Sequence, residues 1–451
     1  MEAEASTSKL WSEQVDEEDV TASTSDVAPD DIRTVTVQDN IYKAAKSFED
    51  LKLPSSLLQG LYTEMQFQRP SKIQGQTLPM ILEPPFHSLI AQAHNGSGKT
   101  TCFVLAMLGR VDESVQRTQA LCICPTRELV VQNLEVLQKM GRHTKIQATS
   151  TARAETEVPR GQKITQQVVI GTHGKLKNWL SKRILDVSAI KILVFDEADQ
   201  MLQTDGFSSD SARMMKEVKK NKEEGKVQIL LFSATFDEAV KKYAHEVVGG
   251  QANQVFLQRE QLSLDVIKQC RVKCPTVPDK HKVLKEMIFP NCEKMGQTII
   301  FVRTRETART LHNMLDKEGF PCTSISGELE HAKRDKVISE FRTGITKVLI
   351  ATDVLARGFD VQQVSLVVNY DPPVKPEVRS NSFSAAFETY LHRIGRSGRF
   401  GRKGAAFNLV TGVTENAVID EIADYFKIEI PDLQWDDEDK FQELLVEAGL
   451  L

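Results

Sequence analysis

The chain has 451 residues, of which 41% are hydrophobic and 26% charged, so it is long enough for two or three domains with ordinary cores. We find no run of 18 apolar residues, and the acidic start at residues 1–25 lacks the basic and apolar regions of a secretory signal. The seven cysteines are irregularly spaced, which predicts reduced thiols rather than a disulfide framework or a zinc site. These features exclude a membrane-spanning or disulfide-rich secreted protein and favour the nucleus or cytosol.

The charge is unevenly distributed along the chain. The net charge is −5, with −9 in residues 1–40 and −6 in residues 431–451, which leaves +10 on residues 41–430. A basic body between acidic ends is suited to binding a polyanion, although ten excess charges over this length also describe an ordinary solvated surface.

From Phe48 onward, short β-rich apolar runs alternate with longer amphipathic stretches. Strands that alternate with helices predict parallel sheets covered by helices on both faces. A polar stretch near Arg259–Ser263 separates two series of predicted strands. The predicted strands are Ser88–Ala91, Ala120–Cys124, Gln167–Ile170, Lys191–Phe195 and Val227–Phe232, then Gln297–Val302, Cys322–Ser326, Lys347–Ala351, Ser365–Asn369 and Ala405–Leu409.

The predicted fold class is therefore α/β, with two tandem domains. We expect an acidic, largely disordered extension at 1–47, a first domain at 48–257, a linker at 258–267, a second domain at 268–430 and an acidic tail at 431–451. In parallel sheets, ligands bind at the carboxyl ends of the strands, so residues that follow the strands are candidates for function.

The strongest local pattern is a phosphate-binding loop that follows the first predicted strand and opens an amphipathic segment. Glycines let backbone N–H groups turn toward phosphate oxygens, and the helix N-terminus adds partial positive charge. Lys99 is suited to reach the β- and γ-phosphates of ATP, and the Thr100 hydroxyl is suited to ligate Mg²⁺. The loop consists of Ala93, His94, Asn95, Gly96, Ser97, Gly98, Lys99 and Thr100.

Acidic residues follow the predicted strand Lys191–Phe195. Asp196 is suited to bind Mg²⁺, partly through water, and Glu197 is suited to polarise an attacking water. Acidic residues also favour the first turn of any helix, and taken alone the two explanations are even. The phosphate loop in the same domain favours the catalytic one.

An aromatic and an amide side chain lie upstream of the loop. The Gln74 amide offers one acceptor and two donors, which match the edge of adenine, and Phe67 could stack on the base. From spacing alone, an ordinary buried Phe before a helix is the better explanation.

Taken together, these residues resemble the motif series of the DEAD-box RNA helicases across residues 48–425. The motifs occur in the family's order and comprise Phe67–Gln74, the phosphate loop, Pro125–Leu129, Asp196–Asp199, Ser233–Thr235, Ile300–Val302, Ala351–Asp353, Ala356–Asp360 and His392–Arg399. Within the family, the chain resembles the subgroup that exports mRNA at the nuclear pore, particularly its plant members. The stretches with this narrower similarity are Leu89–Thr101, Lys191–Asp205 and Tyr390–Gly404.

The resemblance implies two RecA-like domains that close on ATP, Mg²⁺ and RNA, with each domain a mostly parallel sheet flanked by helices. Arg396 and Arg399 would reach the γ-phosphate from the second domain, where arginines stabilise the charge of the transition state. Without the resemblance, His392–Arg396 could equally be a plain basic helix turn. The implied catalytic residues are Lys99, Thr100, Asp196, Glu197, Arg396 and Arg399; the implied ATP contacts are Phe67, Arg69, Gln74, the phosphate loop and Asp360; the implied coupling residues are Asp199, Ser233, Thr235 and His392.

The resemblance also implies an RNA surface made of arginines and hydroxyls that contact phosphates and 2′-OH groups. Binding there would bend a single strand and pry a short duplex apart without translocation. The implied contacts are Pro125, Thr126, Arg127, Thr172 and Gly174 in the first domain and Arg303, Thr352 and Arg357 in the second.

Two places depart from the family pattern. His173 stands where the family usually has proline, and Thr151–Arg153 stands where it usually has a Gly-Gly pair. A lone histidine in such a loop is more often a surface residue than a phosphate contact. We therefore expect RNA affinity to be altered but not abolished.

The ends of the chain carry further expectations. The subgroup's N-terminal extension contains a short helix that restrains ATP turnover, and Thr36–Ser47 is the corresponding candidate; a frayed helix leading into the domain is the plain alternative. The C-terminal Phe441–Leu451 is expected to pack on the second domain rather than to bind a partner.

The leading hypothesis is an RNA-stimulated ATP hydrolase and helicase that clamps single-stranded RNA and remodels RNA duplexes or RNA–protein complexes. The subgroup implies mRNA–protein complexes, nuclear-pore proteins and an mRNA-export activator as partners, and a monomer of the nucleus and cytoplasm at the pore. Two alternatives are a nucleotide-gated RNA clamp with little unwinding and a DNA-directed motor. The intact catalytic residues argue against the first alternative and the family signature against the second.

Overall fold

The chain folds into two compact units, which correspond chiefly to residues 32–257 and 267–451. The computed structural model describes residues 32–37, 42–92, 97–152, 161–202, 206–220, 226–257, 267–325, 329–353, 364–376, 383–398 and 403–451.

Unit 1 is an eight-stranded sheet with the order β1-β8-β2-β7-β6-β3-β5-β4. All pairings are parallel except that of β1 with β8, which is antiparallel. The strands are β1 (Ile32–Val35), β2 (Ser88–Gln92), β3 (Ala120–Cys124), β4 (Ala148–Ser150), β5 (Val168–Thr172), β6 (Ile192–Phe195), β7 (Gln228–Ser233) and β8 (Ala252–Leu257).

The α-helices of unit 1 are α1 (Ser55–Gln59), α2 (Lys72–Leu82), α3 (Lys99–Arg110), α4 (Arg127–Met140), α5 (His173–Ser181), α6 (Ala198–Leu202), α7 (Phe207–Lys219) and α8 (Glu238–Val248). A short 3₁₀ helix at Glu49–Leu51 and a short π-helix at Gly60–Glu64 lie among them. Strands β3, β6 and β7 are buried along their whole length, because helices cover both faces of the sheet.

Unit 2 is a seven-stranded, fully parallel sheet with the order β11-β12-β10-β13-β16-β9-β17, together with a small antiparallel pair, β14 and β15. The strands are β9 (Ile267–Lys273), β10 (Gln297–Phe301), β11 (Cys322–Ile325), β12 (Val348–Ala351), β13 (Val364–Asn369), β14 (Val374–Pro376), β15 (Phe383–Ala385), β16 (Gly404–Val410) and β17 (Asp432–Gln434).

The α-helices of unit 2 are α9 (Val277–Lys282), α10 (Cys292–Met295), α11 (Arg305–Lys317), α12 (His331–Arg342), α13 (Phe387–Ile394), α14 (Gly412–Phe426) and α15 (Glu438–Glu447). A short π-helix at Val283–Ile288 and a short 3₁₀ helix at Phe289–Asn291 join α9 to α10. The predicted fold class is confirmed, and each of the ten predicted strands overlaps an observed one. Within the described ranges, we find no helix that combines the length and the apolar character needed to cross a membrane.

The C-terminal segment 431–451 is part of unit 2 and not a separate acidic tail, and the expected packing of Phe441–Leu451 on the second domain is confirmed. Its strand β17 pairs in parallel with β9. Phe441 and Leu445 of α15 are buried in the core of unit 2, and the Phe441 ring centroid lies 4.8 Å from that of Phe407. Apolar residues at helical spacing hold the segment in place, and the acidic residues between them face solvent.

We predicted an N-terminal helix at Thr36–Ser47, and this prediction is wrong for the residues that the structure describes. Residues 36, 37 and 42–47 contain no helix, and residues 38–41 lie outside the described part of the chain, as do residues 1–31. The preceding residues form β1 instead, which the β-branched run Thr34–Val37 favours. Farther along, the Ala45 backbone N–H donates to the Gly75 carbonyl oxygen at 2.8 Å, which ties the segment to α2.

Candidate active site

The carboxyl ends of four adjacent strands in unit 1 carry the residues that the sequence singled out. In the sheet these strands have the order β2-β7-β6-β3, and the chain leaves them at Gln92, Ser233, Phe195 and Cys124. Ligands of α/β proteins bind at this edge.

The described part of the phosphate loop begins at Ser97, since Ala93, His94, Asn95 and Gly96 lie outside the described residues. Gly98 has φ +98°, and a Cβ there would lie 2.4 Å from Gln74 Nε2. Only glycine fits both the backbone conformation and the close approach. Lys99 and Thr100 then open α3.

Gln74 joins the helix α2 to the phosphate loop. Its Oε1 accepts from the Ser71 backbone N–H at 2.9 Å, and its Nε2 donates to the Gly98 carbonyl oxygen at 3.1 Å. The Ser71 hydroxyl donates to the Ser97 carbonyl oxygen at 2.8 Å. These bonds were not predicted from the sequence, although the Ser71-to-Gln74 spacing is that of a capping box. Phe67 is half-buried just before α2.

Lys99, Asp196 and Glu197 are all buried at this edge. Lys99 Nζ lies 4.0 Å from Glu197 Oε1. Among the described residues, neither Lys99 Nζ nor the buried Ser97 hydroxyl has a hydrogen-bond partner. A buried ammonium without such partners is costly unless a ligand supplies them, so the site is built to receive an anion.

Asn133, which was not predicted from the sequence, forms a hydrogen bond with the Asp196 carboxylate. Its Nδ2 donates to Asp196 Oδ2 at 2.9 Å, and Asn133 itself is completely buried in α4. The signal that could have found it is a lone amide on the otherwise apolar inner face of an amphipathic helix.

Burial raises the pKa of Asp196 to about 7, and the neighbouring Glu197 carboxyl adds to the increase, whereas Lys99 and the Asn133 hydrogen bond oppose it. The negative charge of the two carboxylates, when both are ionised, is therefore not fully balanced by the positive charge around them. Carboxylate and hydroxyl oxygens are ligands that Mg²⁺ prefers, and Asp196 together with the Thr100 hydroxyl is a donor set that fits this ion.

The backbone and a neighbouring amide fix the direction of the Glu197 side chain. Glu197 has φ +57°, in the left-handed region that residues other than glycine uncommonly adopt. Gln200 Nε2 donates to Glu197 Oε2 at 2.6 Å. The carboxylate is therefore held ready to accept a proton or to orient a water.

Asp199 links the acidic segment to the end of β7. Its backbone N–H donates to the Ser233 hydroxyl at 3.3 Å. Its Oδ2 accepts from the Thr235 backbone N–H at 3.1 Å and from the Thr235 hydroxyl at 2.9 Å. The predicted coupling residues Asp199, Ser233 and Thr235 thus form one hydrogen-bonded group within unit 1.

The predicted RNA contacts of unit 1 follow β3 and β5. Pro125 and Thr126 follow β3, and the Thr126 hydroxyl accepts from the Leu129 backbone N–H at 3.3 Å, which caps α4 just before Arg127. Thr172 ends β5.

His173 begins a helix, although we expected a surface residue in a loop. Its ring packs edge-on against Phe207, with centroids 5.3 Å apart, and burial lowers the pKa of His173. A neutral, partly buried imidazole is a poor partner for phosphate. Gly174, by contrast, faces open space where a Cβ would stand.

Unit 2 gathers arginines at the ends of its strands. Arg393 forms two bonds with Asp353, at 2.5 and 2.8 Å, and also donates to Asn369 Oδ1 at 3.0 Å and to the Asp371 carbonyl oxygen at 2.7 Å. It therefore joins the segments that follow β12 and β13. No role for Arg393 could be predicted from the sequence, because it is one of several basic residues in its motif.

The other predicted residues of unit 2 lie nearby or outside the described ranges. Arg396 is buried and its Nε donates to the carbonyl oxygen of buried His392 at 3.2 Å. Thr352 is buried beside Asp353. Three further predicted residues lie outside the described part of the chain: Arg357, Asp360 and Arg399.

Arg303 follows β10 and has a fixed backbone and an accessible side chain. Its backbone N–H donates to Asp371 Oδ2 at 2.7 Å. One guanidinium nitrogen lies 4.0 Å from Glu415 Oε1, and the side chain is 38% exposed. Arg303 is thus an oriented cation at the surface of unit 2, which is suited to a phosphate contact.

Comparison with known proteins identifies relatives along nearly the whole chain. Family models match in both units: DEAD/DEAH box helicase over residues 71–243 and helicase conserved C-terminal domain over residues 279–401. DEAD-box ATP-dependent RNA helicase 38 of Oryza sativa subsp. japonica is 51% identical over 425 residues, which cover 93% of this chain and 83% of the rice protein.

Two solved structures of a yeast protein are also similar. S. cerevisiae Dbp5 bound to RNA and ADP BeF3 is 40% identical with a TM-score of 0.81, and the match covers 90% of this chain and 100% of that one. A Dbp5 variant bound to Nup159, a Gle1 variant, IP6 and ADP is 38% identical with a TM-score of 0.63, and the match covers 88% of this chain and 99% of that one.

Proposed function

The chain belongs to the DEAD-box ATP-dependent RNA helicases, which makes it an ATP hydrolase and RNA helicase, and from this premise we propose that it clamps single-stranded RNA and remodels RNA duplexes or RNA–protein complexes during mRNA export from the nucleus. The observation that carries the proposal is the buried group Lys99, Asp196 and Glu197 at one strand edge, with an ammonium that lacks a hydrogen-bond partner among the described residues. The Dbp5 relative bound to RNA and ADP BeF3 supports RNA as the substrate.

In this proposal, the loop from Ala93 to Thr100 and the Lys99 ammonium bind the phosphates of ATP. Thr100 and, partly through water, Asp196 hold Mg²⁺, which when bound neutralises charge on the β- and γ-phosphates. Glu197 orients the attacking water and accepts its proton. Arg396 and Arg399 stabilise the charge that spreads over the γ-phosphoryl oxygens in the transition state.

Adenine is recognised by Phe67, Arg69 and Gln74, and Asp360 contacts the ribose. The Gln74 amide uses one N–H and one lone pair on Gly98 and Ser71, so one donor and one acceptor remain. Adenine N7 accepts and its N6 donates, so these two groups match what remains on the amide.

The RNA-contacting residues bind phosphates and 2′-OH groups, so the grip does not depend on base sequence. Asp199, Ser233, Thr235 and His392 couple the state of the nucleotide to that grip. The proposed contacts are Pro125, Thr126, Arg127, Thr172, Gly174, Arg303, Thr352 and Arg357.

The partners and the location are part of the same proposal. A relative with 38% identity is bound to Nup159 and a Gle1 variant, which supports nuclear-pore proteins and an export activator as partners of a monomer that works in the nucleus and cytoplasm at the pore.

The test is steady-state ATP hydrolysis with no nucleic acid, with single-stranded RNA and with single-stranded DNA of the same sequence. The wild type should be stimulated by RNA and much less by DNA. Glu197→Gln should lower kcat by at least about 100-fold, since the variant loses the proton acceptor, while ATP-dependent RNA binding remains.

The matched control is Glu238→Gln, a carboxylate in α8 that is 82% exposed, and this variant should retain the wild-type kcat. If RNA does not stimulate the wild type, the proposal is wrong. RNA binding that depends on ATP without turnover would instead favour a nucleotide-gated clamp, and equal stimulation by DNA would favour a DNA-directed motor.

A further inference from the structure

Phe383 is an aromatic side chain held at the surface of unit 2. It is 45% exposed and opens strand β15. Two residues on, Ala385 is buried and its backbone N–H donates to Glu421 Oε2 at 2.9 Å, while the Ala386 N–H donates to the Pro373 carbonyl oxygen at 3.0 Å. The base of the β14–β15 pair is therefore anchored, and the strand presents the Phe383 ring to solvent.

Arg303 lies against this ring. Its guanidinium carbon is 5.2 Å from the Phe383 ring centroid, which is within the range of a cation–π contact. In two other cation–aromatic pairs of unit 2, Lys280 with Tyr370 and Arg393 with Phe301, both the cation and the ring are buried. In a third pair, Lys282 is exposed but the Trp435 ring is half-buried. Among these described pairs, Phe383 is the exposed ring.

The guanidinium is also oriented by a buried ion pair. Glu415, whose Oε1 faces Arg303, accepts through Oε2 from the buried Lys280 ammonium at 2.8 Å and from the Thr411 backbone N–H at 2.7 Å. The Arg303 backbone is fixed independently by Asp371. The guanidinium is thus held over the Phe383 ring in the protein alone, which reduces the entropic cost of ordering the two side chains on binding.

We propose that Phe383 and Arg303 form a stacking subsite for one unpaired base of single-stranded RNA. The inference rests on the proposed RNA-binding function and extends it, since the other proposed contacts are to phosphate and ribose. Aromatic rings and guanidinium planes stack on any base, so the subsite strengthens binding without sequence selectivity. Arg303 holds the neighbouring phosphate while Phe383 supplies an apolar face to the base.

The experiment measures the affinity of the full chain, with ADP–BeF3 bound, for a short oligouridylate and for an abasic ribose-phosphate oligomer of the same length. Wild type should bind the abasic oligomer more weakly. Phe383→Ala should weaken oligouridylate binding roughly tenfold, from the usual contribution of one stacked base, and should leave abasic binding unchanged. Phe383→Trp should retain oligouridylate affinity, because the larger ring still stacks.

The control is Ile345→Ala, an apolar side chain of unit 2 that is 72% exposed, and it should alter neither affinity. Equal loss on both oligomers in Phe383→Ala, or no loss on either, overturns the stacking subsite; the second result would point to a protein partner for Phe383. A wild type that binds neither oligomer in a nucleotide-dependent way would instead contradict the proposed function itself.

Discussion

The strand ends of the two units differ in the buried ionisable groups that they carry. In unit 1 the buried ionisable groups at this edge are mainly carboxyls, namely Asp196, Glu197 and Asp199, whereas in unit 2 they include the guanidiniums of Arg393 and Arg396. Both edges belong to mostly parallel sheets of the same architecture. The sheet therefore only supplies the position, and the side chains decide whether an edge attracts a metal ion or a phosphate.

The edges also differ in how completely their cations are satisfied. Arg393 donates to Asp353, Asn369 and Asp371, whereas Lys99 Nζ has no hydrogen-bond partner among the described residues. We infer that Arg393 serves the stability of unit 2 and that Lys99 awaits a ligand. Substitutions that lower stability without affecting ATP turnover, or the reverse, test this contrast.

The largest effect is expected for Arg393→Ala. The change removes the Arg393 hydrogen bonds to the partly exposed Asp353 carboxylate and to the buried Asn369 amide oxygen. Removal of one partner of a fully buried ion pair typically costs about 3–5 kcal/mol, so we expect a loss toward the lower end of that range. Chemical denaturation followed by circular dichroism, without ligands, should show this loss in the free energy of unfolding. The control Lys336→Ala, at an exposed position of α12, should stay within about 0.5 kcal/mol of wild type. A loss in Arg393→Ala below about 1 kcal/mol would contradict the structural role.

A smaller effect, confined to activity, is expected for Asn133→Ala. The variant loses the hydrogen bond that opposes the rise in the pKa of Asp196, so the carboxyl is harder to keep ionised in the buried site. A hydrogen bond to a charged group contributes about 1.5–3 kcal/mol, which corresponds to a fall in kcat of roughly tenfold or more. Steady-state ATP hydrolysis with saturating RNA measures this, and Lys139→Ala on the exposed face of α4 is the control. If kcat is unchanged while stability falls, Asn133 only packs.

The sequence predicts some features well because they are local. Apolar runs mark the strands, and Gly98, Lys99 and Thr100 carry the phosphate loop within a few residues. Asn133 could not be assigned, because its partner Asp196 is 63 residues away and only the sheet brings them together. For the same reason, the packing of Phe441–Leu451 on the second domain could be expected, but the pairing of β17 with β9 and the hydrogen bonds of Arg393 are visible only in the tertiary structure.

The smallest effect concerns His173, where unit 1 departs from its family. His173 is the first residue of α5, a position at which proline is well tolerated, so His173→Pro should fold normally. We expect the RNA concentration for half-maximal ATPase stimulation to change a few-fold, because proline fixes the backbone between the proposed RNA contacts Thr172 and Gly174 and removes the imidazole. His173→Ala is the matched variant, which removes the imidazole without fixing the backbone. An unchanged RNA dependence in His173→Pro would contradict the prediction.

The wild type and His173→Ala should also differ in how the free energy of unfolding depends on pH. Burial holds the pKa of His173 in the folded chain below its ordinary value of 6.5, so the unfolded chain takes up the proton first as the pH falls. Wild type should therefore lose stability below about pH 6.5 relative to His173→Ala, and thermal unfolding at pH 7.5 and at pH 5.5 measures the difference.

Because the His173 ring is neutral at pH 7, neither His173→Pro nor His173→Ala should alter the salt dependence of RNA binding, whereas removal of the charge at Arg303 should reduce it.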